Sequence, residues 1–224
     1  LYAAEALLRF RTTSGEMISP GEFIPLLEEN KLIIPVGKWI IRNALIVCRQ
    51  IRESHPNFKI SINLSYIQLL RTPLFDDVKC ALEELGLPAG CLIVELTESG
   101  HLGNNASVMN VWRKLKDLGV EIALDDFGTG YSNLINIGNL HPNFVKIDRS
   151  FTVKALQNAY ELNLLAYVFQ MVHTLGLHLV VEGIENQEEL DRILQLGPDY
   201  IQGYYYSKPC PQKEFMKKYK CKEK

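Results

Sequence analysis

A chain of 224 residues, 47 % hydrophobic and 22 % charged, holds enough apolar material for a packed core, and its formal net charge of −2 argues against a broad nucleic-acid-binding surface. An anionic ligand would have to be met by a few local Lys or Arg. The five cysteines (Cys48, Cys80, Cys91, Cys210 and Cys221) are scattered and form no CxxC pair, which points to a reducing compartment and away from a disulfide framework or a zinc site.

The first candidate strand, at 2–8, begins almost at Leu1, so the chain is expected to be cut from something longer. Next comes Ser19-Pro20-Gly21-Glu22, which predicts a capping box with Pro at the first helical position. Apolar runs rich in Val and Ile then predict strands at 59–64, 92–96, 120–124, 144–147, 178–181 and 200–202. Between them, stretches such as "VWRKLKDLG" and "ELDRILQLG" place apolar residues three and four apart, the helical period. Gly86, Gly119, Gly176 and Gly197 stand where those helices should stop. The longest apolar stretch, "LNLLAYVFQMVHTLGL", is broken by Gln170 and His173 and falls short of the ~18 residues of a membrane span. No signal peptide is recognisable.

Repeated strand-then-helix units predict an α/β fold with a largely parallel sheet. Seven candidate strands, with one more upstream, would close a (β/α)8 TIM-like barrel whose first strand is missing or incomplete here. The open doubly wound sheet is the alternative. It usually carries a glycine-rich phosphate loop after an early strand, and this chain has none.

A barrel builds its site at the C-terminal ends of its strands. Those ends carry Glu5, Asn63, Glu95, Asp125 with Asp126, Lys146, Glu182 and Gln202. One acid after one strand is ordinarily a turn former or a helix cap. Acids and amides on nearly every strand are a different matter, because several carboxylates in one pocket must protonate, find cations or hold a metal. Hard oxygen donors favour Mg2+ or Mn2+, and none of the five histidines falls at a strand end, which argues against zinc or iron. Adjacent Asp125 and Asp126 can serve two ions, one carboxylate bridging, and two ions about 4 Å apart are the usual device at a phosphodiester. Lys146 sits inside the apolar strand "NFVKID"; directed into an acidic pocket, its ammonium would polarise a water or a phosphoryl oxygen. Arg9 follows "EALL" closely enough to reach the same rim, and a guanidinium suits a phosphate.

In this order the motifs "EALLRF", "SPGEFIPLLEE", "SINLS", "ELTES", "LDDFGTGYSNL", "VKIDRSF", "VVEGIE" and "QGYYYSKP" resemble the EAL-domain family of bacterial cyclic di-GMP phosphodiesterases. The match runs along essentially the whole chain and implies one EAL domain over 1–224, taken from a longer multidomain signalling protein. The implied fold is a (β/α)8 barrel of the EAL type. The implied reaction is hydrolysis of cyclic di-GMP to linear pGpG with two Mg2+ or Mn2+ ions.

By the same resemblance Glu5, Asn63, Glu95 and Asp125 would hold one ion. Asp125 would bridge to a second, held by Asp126 and, directly or through water, by Glu182. Lys146 would touch the attacking water, and Glu182 would act as base or water-orienting group. Leu7, Arg9, Asp148 and Gln202 would fall in the substrate shell, while Glu98 and Glu185 would support the loops. Gly128 and Gly130 would let "DFGTGYS" turn sharply, and that region would also carry a homodimer contact. An upstream sensory or GGDEF domain and a cytoplasmic location, with membrane attachment possible through a segment before Leu1, are further implications; a nucleic-acid polymer is not an expected partner. The alternative is a catalytically weak EAL domain acting as a cyclic di-GMP receptor or interaction module.

Overall fold

A computed structural model describes residues 1–70, 73–97, 105–129 and 133–220. The chain divides into two compact units, one of Leu1–Glu95, Asn104–Glu121 and Pro211–Lys224, the other of Leu96–Gly103 and Ile122–Cys210.

The first unit opens with β1 (Ala3–Ala6), a small hairpin of β2 (Phe10–Arg11) and β3 (Met17–Ile18), and helices α1 (Pro20–Glu29) and α2 (Ile33–Arg52). It continues through β4 (Lys59–Asn63), α3 (Tyr66–Leu69), α4 (Pro73–Leu85), β5 (Leu92–Thr97) as far as Glu95, and α5 (Ala106–Leu118). Strands β1, β4 and β5 run parallel, with Glu5 opposite Ser61 and Asn63 opposite Glu95. Ile60, Ser61 and Ile62 are buried in succession, as are Leu92 to Leu96, so these strands are covered on both faces in the manner of parallel sheets. The α2 helix turns Ile33, Gly37, Ile41, Ala44, Leu45, Cys48 and Ile51 inward at three- and four-residue intervals.

The second unit contains β6 (Glu121–Phe127), α6 (Asn133–Leu140), β7 (Phe144–Ile147), α7 (Arg149–Gln157), α8 (Ala159–Thr174), β8 (His178–Val181), α9 (Gln187–Leu194) and β9 (Tyr200–Ile201). The chain then returns to the first unit with α10 (Gln212–Lys218). Strands β6, β7, β8 and β9 pair in that order, all parallel. Val145, Ile147, Leu179 and Val181 share one core with Phe151, Leu165, Phe169, Val172 and Ile193 from the helices. Side chains alternate along a strand, so Lys146 and Val180 belong to the opposite face. At the other end of β8, Asp199 accepts from Leu179 N–H at 2.8 Å and meets His173 at 3.0 Å and His178 at 3.4 Å. Burial pulls the Asp199 carboxyl upward, but the hydrogen bonds from Leu179 and the two imidazoles prevail and hold it below its ordinary value.

The strand-then-helix order and parallel pairing expected from the sequence are therefore present. The helix-ending glycines are too, all with positive φ: +64° at Gly86, +98° at Gly119, +70° at Gly176 and +74° at Gly197. The capping box expected at Ser19 does not form. Ser19 is the N-cap and Pro20 follows it, but the serine side chain makes no capping bond. A complete box stands instead at Ser65, whose hydroxyl accepts from Ile67 N–H while Gln68 accepts from Ser65 N–H. Among the described residues, no helix is long and apolar enough to cross a membrane.

Candidate functional site

In the first unit the expected residues stand at the ends of three neighbouring parallel strands. Asn63 Nδ2 donates to Glu5 Oε1 at 2.7 Å. This leaves the amide carbonyl as the face of Asn63 suited to a cation. Glu95 is 3 % exposed, a depth at which a carboxylate needs a cation or several donors. Leu7 and Arg9 lie just past β1 and are exposed, with Arg9 donating to Leu8 O at 3.0 Å.

In the second unit the strand ends are irregular, and the irregularity matters. Leu124 pairs with Val145 and Phe127 with Ile147, so Asp125 and Asp126 together stand opposite the single residue Lys146. That is a β-bulge. In a regular strand two adjacent acids would point to opposite faces, and Leu124 and Phe127, three apart, would also part company. Here Leu124 and Phe127 both enter the helix-side core, and the extra residue between them is taken up as the bulge. The bulge is reached through a backbone that side chains rarely adopt: Asp126 has φ +57°.

Lys146, 3 % exposed, lies between two carboxylates, 3.3 Å from Asp125 Oδ1 and 2.7 Å from Glu182 Oε1. An ammonium at that depth is tolerable only because it is paired. The same pairing makes an acid at the end of an apolar strand tolerable. Asp125 Oδ1 also accepts from Asp126 N–H at 2.9 Å. Glu182 sits one residue past β8, with its N–H on Ile147 O at 3.1 Å, so the ladder holds its backbone. Gln202 likewise donates its N–H to Val181 O at 2.8 Å.

The start of α7 braces the turns that carry these acids. Asp148 is its N-cap, accepting from Ser150 N–H at 2.8 Å, and its own N–H donates to Phe127 O at 3.2 Å. Arg149 forms an ion pair with Glu185 and donates to Gly183 O at 3.2 Å. The hydrogen bond from Arg149 holds the Glu185 carboxyl below its ordinary value. Phe151 lies against Gly128, where φ is +104° and a Cβ would come within 2.5 Å of the ring. Gly128 thus makes the sharp turn expected of it. Gly203 is pressed onto the backbone of Ile184, whose oxygen would lie 2.1 Å from any Cβ at that position.

The structure thus brings together Glu5 with Asn63, and Asp125 with Lys146 and Glu182. It gives Asp148 to a helix cap and Glu185 to a loop brace. Glu98, Gly130, Tyr131 and Ser132 lie outside the described residues. Sequence reasoning missed the bulge and the brace on Arg149. Two acids between core residues three apart was the available signal for the bulge; for Arg149 there was none. In donor type the acids and the Asn63 carbonyl fit a hard divalent cation. Among the described residues, no three His, Cys, Asp or Glu side chains gather as a ready-made ion cage. In this arrangement the Lys146 ammonium supplies the positive charge between Asp125 and Glu182.

Compared with known families, residues 1–209 match the EAL domain. The chain belongs to the EAL-domain family. It is 36 % identical to the signaling protein YkoW of Bacillus subtilis, over 95 % of this chain and 26 % of that protein. It is 32 % identical to MucR of Pseudomonas aeruginosa, named a bifunctional diguanylate cyclase/cyclic di-GMP phosphodiesterase, over 96 % of this chain and 32 % of MucR. The chain therefore spans about a third or less of the length of these relatives. Among solved structures, the EAL enzyme Bd1971 in its cAMP- and cyclic-di-GMP-bound form shares the fold, with a TM-score of 0.89 and 31 % identity over 96 % of this chain and 60 % of that one.

Proposed function

We propose that this EAL domain, taken as one domain over 1–224, hydrolyses one phosphodiester bond of cyclic di-GMP to give linear pGpG. The observation that carries the reading is the buried Lys146 held between Asp125 and Glu182 at the ends of adjacent parallel strands. Relatives named as cyclic di-GMP phosphodiesterases and a neighbour solved with that nucleotide support the substrate.

Glu182 orients the attacking water and takes its proton as the oxygen closes on phosphorus, while the opposite P–O3′ bond breaks and the 3′ oxygen leaves as the hydroxyl of pGpG with a proton from solvent. Lys146 faces the negative charge that grows on the phosphoryl group, and its two carboxylate partners keep it in place before the reaction begins. Arg9, Leu7, Asp148 and Gln202 are assigned to the substrate shell, where a guanidinium would take a phosphate oxygen. Two Mg2+ or Mn2+ ions, assigned to Glu5, Asn63, Glu95 and Asp125 and to Asp125, Asp126 and Glu182, would supply the charge that acidifies water and polarises phosphoryl oxygens.

A homodimer through the region around "DFGTGYS" is supported by a cavity of about 300 Å3 whose lining mixes Phe127, Phe151, Leu164 and Val168 with Lys154 and Glu161, and by exposed Tyr160 and Tyr167 on α8. An upstream sensory or GGDEF domain fits the greater length of the relatives. Free Cys48, Cys80, Cys91 and Cys210 accord with a cytoplasmic site of action. The test is incubation with cyclic di-GMP and Mg2+, followed by chromatography for pGpG. Appearance of pGpG that stops in EDTA supports the reading. Tight binding without turnover would assign the domain to the receptor class, and hydrolysis undiminished by EDTA would overturn the metal assignment.

A further inference from the structure

The geometry points to Arg149 as a positioning residue that holds the Glu182 carboxylate on Lys146, by clamping the turn through which the chain leaves β8. The inference rests on the phosphodiesterase reading for its catalytic consequence, but not for its geometry.

The backbone of Glu182 is held in the ladder through its N–H on Ile147 O. Immediately after it the chain turns, with φ +76° at Gly183, and a turn of that kind holds direction poorly unless something lies across it. Arg149 lies across it. The aliphatic stem covers the bare Cα of Gly183 so closely that a Cβ there would fall 2.4 Å from Arg149 Cγ and 2.5 Å from its Cβ. The guanidinium donates to Gly183 O at 3.2 Å and pairs with Glu185 two residues on. One side chain thus engages the turn at three points, beginning at the residue next to Glu182.

The far side of the same turn is held by backbone. Ile184 N–H reaches Gln202 O at 3.4 Å, Tyr205 N–H reaches Ile184 O at 3.0 Å, and Ile184 itself is fully buried. The Arg149–Glu185 pair is half exposed, with side-chain exposures of 46 % and 37 %. Such a pair contributes little to global stability. Its geometric effect is local, and it bears on the group that must meet the water.

Arg149→Ala should therefore lower kcat by ~10- to 100-fold, the scale of a small misplacement of a catalytic group, with KM within about twofold and Tm nearly unchanged. Arg149→Lys keeps the stem and one charge and should recover part of the rate. Gly183→Ala, which evicts the stem, should reproduce the loss of kcat. Arg42→Ala breaks an exposed ion pair of the first unit and serves as the control, expected at wild-type activity.

A second readout needs no turnover: the 13Cε resonance of Lys146 in the metal-free protein should move in Arg149→Ala and stay in Arg42→Ala. An unchanged Lys146 signal would overturn the inference, as would an activity loss that merely tracks unfolding. A raised KM at unchanged kcat would make Arg149 a substrate contact and overturn it as well. If the wild-type protein shows no hydrolysis, the phosphodiesterase reading fails, and the Lys146 signal alone then decides the positioning role.

Discussion

The two units set out their acids in different ways. In the first, β4 and β5 run in regular register, so each strand end offers one donor, Asn63 opposite Glu95, with Glu5 joined to Asn63 by an amide hydrogen bond. In the second, a bulge doubles the yield of one strand: Asp125 and Asp126 stand together against one lysine. A regular ladder costs the backbone nothing and supplies charges singly. The bulge supplies two neighbouring carboxylates, at the expense of a residue with φ +57° and a buried cation to match. The first arrangement suits an ion held by several strands, and the second a carboxylate shared between ions.

The largest loss is expected when the lysine is removed. Lys146→Ala should reduce hydrolysis on the order of a hundredfold or more, while cyclic di-GMP affinity measured with Ca2+ changes far less. In EDTA the same variant should lose about 3 kcal/mol in urea unfolding, since two carboxylates are left without their cation. A normal turnover rate would reduce Lys146 to a structural counter-ion. Arg9→Ala should show the opposite emphasis, with weaker binding and a smaller effect on rate.

The first unit is tested at Asn63. Asn63→Ala removes the amide that orients Glu5, and Mn2+ affinity, followed by EPR titration, should fall roughly tenfold to a hundredfold. Unaltered affinity would separate the regular strand ends from ion binding altogether. The bulge is tested at its strained residue. Asp126→Gly accepts the positive φ without strain, so stability in EDTA should rise by up to about 1 kcal/mol while hydrolysis falls. A variant that is destabilised instead would show that the Asp126 side chain, and not the backbone, holds the bulge.

The smallest effect is expected away from the acids. Because the Asp199 carboxyl is held below its ordinary value of 3.8, the stability it gives is present above that pH and is lost as pH falls through the lowered value. Asp199→Asn should cost a few tenths of a kcal/mol at neutral pH, the scale of a partly exposed ion pair, and flatten the acid limb of the stability curve. An unchanged acid limb would mean that Leu179 and the two histidines hold the carboxyl no better in the folded chain than water does in the unfolded one.

Much of this was legible in the residues. The strands at 144–147 and 178–181 coincide with Phe144–Ile147 and His178–Val181, because short Val- and Ile-rich runs bounded by turns have few other uses. The strand expected at 120–124 is too short, since the two acids after Leu124 look like the end of an apolar run; the observed strand continues through them to Phe127. The hairpin of Phe10–Arg11 and Met17–Ile18 has no counterpart among the expected elements, because two residues carry no period. Ser19 meets the pattern of a capping box while Ser65 forms one, which shows how little a four-residue pattern says about side-chain direction. The acids of the candidate site were legible because each is a polar group interrupting or ending an apolar run. Arg149 was not, since a basic residue opening a helix looks the same whether it meets water or a glycine turn.

The contact between Gly203 and Ile184 sets a limit on how this molecule can vary. Backbone meets backbone there, with a peptide oxygen 2.1 Å from where any side chain would begin, and no change of rotamer makes room. A saturation library at position 203, sorted for folded protein, should return glycine almost alone. Any other residue would displace Ile184 and, two positions upstream, Glu182. Inheritance at the outer turn is thereby tied to inheritance at the strand end: the freedom to drift at 203 exists only for chains that also rebuild the turn carrying the acid.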